Sequence, residues 1–396
     1  MFTFNRRKNK KAMTKNLIFL IISLFTGTAL FAQDSYMDAD AEPDEKIYVG
    51  GEAYNVESFT DDFESDNPKN IILLIGDGMG VSQVTAGLTA NKGKLFLNNF
   101  RHMGLVQTQS SDKYITDSAA GGTAISTGVK TYNGAIGVDA DTTVVKTILE
   151  QAEEKGLATG LVSTSSITHA TPASFISHQK SRNLYENIAA DFLKTDFDVI
   201  IGGGVEHFTK REDGRNLIEE LEDKGYKVEP DLEKARYIRS AKLVSLTADV
   251  HNPRISERGD MLPVATETAI NILDNNQNGF FLMVEGSQID WGGHAASTIY
   301  IVEDMLDFDQ SVGKALKFAA KNKETLVVVT ADHETGGMAL TGGDMKTGMV
   351  KADYPLGGHT GVMVPVFAFG PGADEFTGIM DNTDIYKKMN QLLIQK

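Results

Sequence analysis

Six short apolar runs, spaced along the chain between helical patterns and glycine-rich turns, constrain the fold of this 396-residue protein more than any other feature. They lie at 70–75 (NIILLI), 157–163, 198–201, 280–284, 326–330 and 364–369. Each is too short for a buried helix and lacks the polar alternation of a half-solvated strand, which leaves a strand covered on both faces. Helical patterns fall between them at 143–155, 184–194, 266–275 and 302–321. Strands alternating with helices predict an α/β fold, with a mostly parallel central sheet and helices on both faces. A ligand then belongs outside the carboxyl ends of the strands. Residues 208–262 are charged and mixed, and read as a small accessory insertion at the periphery, with 342–356 a shorter one.

The first 32 residues set the compartment. Six basic residues (Arg6, Arg7, Lys8, Lys10, Lys11, Lys15) precede an apolar run at 17–24, and small residues then lead to Ala32 before Gln33. That order predicts a secretory signal peptide at 1–32, cleavage after Ala32, and export to the periplasm or the medium. Ser23, Thr26, Gly27 and Thr28 interrupt the apolar stretch, which disfavours a membrane anchor. The mature domain is 33–396, and its acidic start, 34–68, reads as an N-terminal arm. Cleavage removes six basic residues and no acid, taking the net charge from −16 to −22. Such a surface repels nucleic acid and anionic membranes, and no later run is long enough to span a bilayer. An anionic substrate would need the field reversed locally, and bound dications do that economically. The chain has no cysteine, so metal ligands must come from His, Asp, Glu, Ser or Thr.

Those residue types gather at the strand ends. Asp77 follows the first run and Glu285 the fourth, with Asp290 and His294 shortly after; Asp332 and His333 follow the fifth, and His359 precedes the sixth. Four of eight histidines (His169, His294, His333, His359) fall in or beside these segments. Singly, an Asp after a strand is as well explained by helix capping, and the i, i+4 pair Asp290/His294 by helix stabilisation. Together they form a mixed N/O donor set suited to zinc, with an oxygen-rich remainder suited to magnesium. Around Ser118, the small residues of TDSAAGGTA let a ligand approach a helix start, where N–H groups favour an anion. An Asp/Ser cap on an ordinary Gly/Ala helix explains the same residues. Serine reacts only with a base or a metal beside it, and no Ser-His-Asp pattern accompanies Ser118. Arg182 offers a fork that matches two oxygens of a phosphoryl group.

The motifs GDGMG (76–80), TDSAAGGTAISTGVKTYNGAIGV (116–138), STSSITHATPASF (163–175), VEGSQIDWGGHA (284–295), TADHETGG (330–337) and GGHT (357–360) occur in one order over about residues 70 to 372. In this the chain resembles the alkaline phosphatase family. The resemblance implies hydrolysis of phosphate monoesters to alcohol and inorganic phosphate, with a phosphoserine on Ser118, broad leaving-group tolerance and an alkaline optimum. It implies two Zn²⁺ and one Mg²⁺: Asp290, His294 and His359 for the first zinc; Asp77, Asp332 and His333, with Ser118, for the second; and Thr171, Glu285 and a bridging Asp77 for magnesium. Arg182 matches the phosphate clamp and Asp117 the carboxylate that orients it. Inorganic phosphate is implied as product and inhibitor, and a homodimer as the assembly. Two positions depart from the best-known bacterial pattern, which has Asp at His169 and Lys at Trp291. A His/Trp pair resembles some marine and cold-adapted bacterial members, and an imidazole at 169 is expected to weaken a hydrated magnesium. Related phosphodiesterases and sulfatases share the layout, but their nucleophile signatures are absent.

Overall fold

Consecutive residues of a strand point to opposite faces, so a strand buried at every position is covered on both sides. Asn70–Gly76, Ala158–Ser166, Phe280–Gly286 and Thr325–Thr330 are buried throughout. The structure is a computed structural model that describes residues 43–63, 65 and 67–395; the expected signal peptide lies outside them. In chain order the strands are β1 (Ile47–Tyr48), β2 (Asn70–Gly76), β3 (His102–Gln107), β4 (Ala158–Ser166), β5 (Val199–Gly203), β6 (Lys227–Val228), β7 (Leu243–Leu246), β8 (Phe280–Gly286), β9 (Thr325–Thr330), β10 (Glu334–Thr335), β11 (Ala339–Asp344), β12 (Met349–Asp353), β13 (His359–Thr360), β14 (Val364–Phe369) and β15 (Gly378–Asp381). Ten form the central sheet, in the order β15-β3-β14-β9-β2-β8-β4-β5-β7-β6. Only β14 runs antiparallel to its neighbours, β3 and β9. The α/β architecture expected from the sequence is therefore present, and all six expected strands lie in this sheet.

Helices Met261–Leu273 and Thr298–Asn322 pack together against the sheet, and the residues they bury recur at helical spacing. Ile148–Glu154 begins five residues later than its pattern predicts. Thr147 caps it, and Glu150 returns the bond to the Thr147 N–H, a box that fixes the start there. The sequence missed β3, β6, β7 and β15. They are short or half-exposed, and they lie at or next to the sheet edges, where continuous apolarity is not required.

Residues 208–262 are not an insertion outside the sheet. They supply β6 and β7 at its edge, because Leu243 and Val244 continue the parallel pairing from Val199 and Ile200. The 342–356 segment is largely the β11–β12 hairpin, joined by β1 from the N-terminal arm. That arm is fastened further along, where the Tyr54 hydroxyl donates to Asp309 (2.5 Å) and the Phe59 N–H to Asn99 (2.7 Å).

Register determines what the sheet offers at its carboxyl end. Ile75 pairs with Glu285 and Thr330, and Glu285 pairs with Ser163, so one row crosses four strands. Asp77 and Asp332 each lie two residues beyond that row and emerge side by side.

Candidate active site and metal centre

The turn after β2 brings the first carboxylate against a helix. Gly78 has φ +73°, and a Cβ there would sit 2.7 Å from Asp290 Cα, so this approach requires glycine. Helix Gln288–His294 places Asp290 and His294 on one side, with Oδ2 and Nε2 3.3 Å apart. His359 arrives on β13, whose pairing with β10 sets His359 opposite Thr335. Its Nε2 lies 3.3 Å from His294 Nε2 and 3.6 Å from Asp290 Oδ1. His333 Nε2 is 3.4 Å from Asp77 Oδ1, 3.2 Å from Asp332 Oδ2 and 3.2 Å from Ser118 Oγ. All of these residues are buried except His359, which is partly so.

Ser118 is the first residue of helix Ser118–Thr127, and Asp117 is its cap. The capping reading of that motif is present, with Ser118 placed at the helix start. One Asp117 oxygen accepts the N–H groups of Ala120 and Gly134, both at 3.0 Å, while the other accepts Arg182 Nη1 at 3.1 Å. Arg182 Nη2 lies 3.3 Å from His169 Nε2. Thr171 donates to Asp77 at 3.3 Å, and Glu285 accepts Ser163 at 2.5 Å. Trp291, buried beside Asp290, packs edge-on to His169 with ring centres 6.3 Å apart. Every residue singled out in the sequence thus converges on one end of the sheet.

The electrostatics ask for cations. Four buried carboxylates (Asp77, Glu285, Asp290, Asp332) share this end, and burial raises Asp77 well above the usual range, Glu285 above it and Asp332 to about 8. Asp290 differs: burial opposes its ionisation, yet His294, His359 and His333 hold it well below the ordinary range. His294 Nδ1 faces Gly357 O at 2.7 Å and His359 Nδ1 faces Thr116 O at 2.9 Å. A carbonyl only accepts, so each Nδ1 carries its proton. In the neutral rings, two bare Nε2 lone pairs then point at each other, which is repulsive unless a positive charge lies between. Without metal that charge is a proton: burial works against it, but Asp290 outweighs burial and lifts His294 to about 9. Burial drives His333 and His359 the other way, below their usual value, and keeps their lone pairs available. Two donor groups are close enough to hold an ion, Asp290/His294/His359 and Asp77/Asp290/His333. Their chemistry fits divalent metal, with Asp290 between them.

The family model described as alkaline phosphatase matches residues 68–354. The chain belongs to the alkaline phosphatase family. It is a metal-binding hydrolase of phosphate monoesters. Alkaline phosphatase 3 of Bacillus subtilis (strain 168) is 36% identical to it, over 83% of this chain and 89% of that protein. The solved alkaline phosphatase of the Antarctic bacterium TAB5 is 42% identical, with TM-score 0.79 over 83% of this chain and 98% of that one. A variant of the TAB5 enzyme with one His replaced by Asp is 41% identical, with TM-score 0.78 over 83% and 99%, and has Mg bound in its M3 site.

Several alkaline phosphatase residues at this site had no signal of their own in the sequence. Thr335 donates to Asp290 and lies 3.2 Å from His333 Nδ1. Glu334 accepts Gln83 at 2.8 Å, the N–H groups of Gly337 and Met338, and the Thr360 hydroxyl, and so pins β10 to β13. Both sit inside TADHETGG, so that motif's length was the available clue. His251 meets Trp291 from the segment read as peripheral, with ring centres 4.9 Å apart.

Proposed function

We propose that Ser118 is the nucleophile of this alkaline phosphatase and that turnover passes through a phosphoserine. The observation that supports it is the contact of Ser118 Oγ with His333 Nε2 at 3.2 Å, within the same cluster as Asp77 and Asp332. Asp290, His294 and His359 would hold one zinc, and Asp77, Asp332 and His333, with Ser118, a second; Thr171, Glu285 and Asp77 would hold magnesium. Bound there, paired dications would stabilise negative charge on the attacking and leaving oxygens.

The chain's own groups do the rest. Ser118 Oγ gives up its proton to solvent and forms the bond to phosphorus as the ester P–O bond breaks, the departing oxygen taking a proton from solvent to leave as the alcohol. Water then displaces Ser118 and releases inorganic phosphate, which as product competes for the same site. Arg182, held by Asp117, donates to the non-reacting oxygens. The N–H groups at the start of helix Ser118–Thr127 add favourable charge for the same anion. Recognition confined to the phosphoryl group explains broad tolerance of the alcohol, and activity rising as Ser118 ionises explains an alkaline optimum.

His169 and Trp291 shape the third position, where His169 in place of a carboxylate weakens magnesium. Magnesium titration of His169→Asp should show tighter dependence. We further infer a homodimer, and an exported mature domain of 33–396 after loss of 1–32. Among the described residues no helix is long and apolar enough to cross a membrane.

Metal analysis with turnover of Ser118→Ala tests the central reading. Metals retained with turnover lost, and no phosphoprotein trapped at acid pH, is the expected outcome. Near wild-type turnover would end it.

A further inference from the structure

Three rings meet edge to face beside Arg182. His169 and His251 have centres 5.5 Å apart at 90°, His251 and Trp291 4.9 Å apart at 74°, and His169 and Trp291 6.3 Å apart at 86°. His169 and Trp291 come from motifs adjoining the site. His251 comes from the loop after β7, forty or more residues from either along the chain.

That loop is fastened at several independent points. The Ser166 N–H donates to His251 Nδ1 at 3.0 Å, which leaves the ring proton of the neutral imidazole on Nε2. A Cβ at Gly203 would sit 2.2 Å from Val250 O, so β5 carries glycine where the loop closes against it. Thr247 donates to the Asn252 side chain at 2.7 Å, and Gln288 Nε2 to Asn252 O at 2.8 Å. Gln288 is fixed in turn, since its Oε1 accepts Arg258 at 3.1 Å and the Tyr300 hydroxyl at 2.9 Å. Through Ser166 the loop is tied to the segment bearing His169, and through Gln288 to the helix bearing Trp291.

The consequence falls on the arginine. A guanidinium only donates, so His169 Nε2, 3.3 Å from Arg182 Nη2, is an acceptor. Asp117 accepts from Nη1 on the other prong. The fork is held from both sides, and one holder is a ring whose orientation depends on what packs against it.

We propose that His251 is a positioning residue for phosphate recognition: its ring fixes His169, and His169 fixes Arg182. This rests on the reading of Arg182 as the phosphoryl clamp. The role belongs to the ring face, while the Ser166 bond serves the loop's stability, so two substitutions separate them. His251→Ala removes both; His251→Phe keeps the ring and loses the acceptor.

The test uses the full metal-loaded enzyme with inorganic phosphate as the probe. His251→Ala should weaken inhibition by phosphate and raise KM by about fivefold with kcat little changed, the pattern of lost uniform binding. His251→Phe should stay within about twofold of wild type in both, although its melting temperature falls with that of His251→Ala. Trp291 is the chain's one tryptophan, so its emission reports on the wall directly. It should shift in His251→Ala and not in His251→Phe. In a His169→Ala background, losing His251 should cost no further phosphate affinity. Phosphate constants that track melting temperature in both variants would overturn the proposal, as would an unchanged constant in His251→Ala with shifted Trp291 emission. Arg182→Ala separates the two levels. If it leaves phosphate inhibition unchanged, the clamp reading fails; if it weakens inhibition while His251→Ala does not, only this inference fails.

Discussion

Two clusters of buried charge lie one helix apart, and they balance in different ways. Arg258 donates to Asp304 at 2.5 Å and to Asp307 at 2.8 Å, all three side chains being almost fully buried. Burial pushes Asp307 up to about 7 against the pull of Arg258, and the one guanidinium bridges both carboxylates. The site cluster has four carboxylates against a single buried imidazolium, His294 on Asp290; Arg182 is partly exposed and already engaged by Asp117. One cluster is closed by the chain itself, and the other is left open to ions. A buried charge that the sequence can pair serves structure, and a buried deficit marks chemistry.

Metal removal draws the line most sharply. Chelation should lower turnover by about a thousandfold or more, since the charge on attacking and leaving oxygens then goes uncompensated. It should also lower the melting temperature, because ions that bind only the folded state stabilise it by about 4 kcal/mol per site at a thousandfold excess over Kd. Calorimetry before and after chelation checks this, and an unchanged melting temperature would mean that the site cluster, too, balances itself.

Breaking the closed cluster comes next in size. Arg258→Ala leaves Asp304 and Asp307 buried without their cation and should cost about 3–5 kcal/mol. Urea denaturation of the chelated protein, where metal cannot mask the loss, measures it. A triple replacement of Arg258, Asp304 and Asp307 by apolar residues of similar volume should recover most of that stability, as it could not at the site.

Asp309 is an intermediate case, a buried carboxylate with no cation. It accepts the Tyr54 hydroxyl at 2.5 Å, the Phe96 N–H at 2.6 Å and the Leu97 N–H at 3.0 Å. Burial outweighs these donors and lifts it to about 6. Because the folded value lies above the unfolded one, its stabilisation is complete below about pH 4 and is lost as pH rises through about 6. Relative to Asp309→Asn, the wild type should therefore lose stability across that window, by at most about 3 kcal/mol. Denaturation midpoints of the two proteins at pH 4, 5, 6 and 7 give the difference, and parallel curves would count against the assignment.

The same contrast explains what could be read from the chain. Continuous burial forces continuous apolarity, so β2, β4, β8 and β9 were legible, as were the carboxylates and imidazoles just beyond them. Hydrolysis of monoesters was legible because several specific motifs occur in one order. β3 and β15 were not, since the exposed Met103 and Ile379 belong to strands whose outer positions accept any residue. The 208–262 segment looked peripheral because its charged residues cover an edge of the sheet. His251 reaches the site through loop closure at Gly203, the Ser166 bond and the Gln288 clasp. Those are contacts between distant residues, and no local spacing encodes them.

The smallest effect concerns a residue whose role emerges from geometry alone. Thr335 has one hydroxyl proton and gives it to Asp290. Its oxygen is then an acceptor for His333 Nδ1 at 3.2 Å, which sets the tautomer that turns the His333 Nε2 lone pair toward Asp77, Asp332 and Ser118. A single hydroxyl therefore orients one ligand in each proposed zinc set. Thr335→Val keeps the shape and removes both bonds, and partners of this kind are worth about 10–100-fold in metal affinity. Competition for zinc against a calibrated chelator should show a loss in that range for Val and recovery for Thr335→Ser, with the two apoproteins equally stable to within about 1 kcal/mol. Equal zinc affinity in Thr335→Val would show that packing alone holds the ligands, and the open cluster would then be as rigidly built as the closed one.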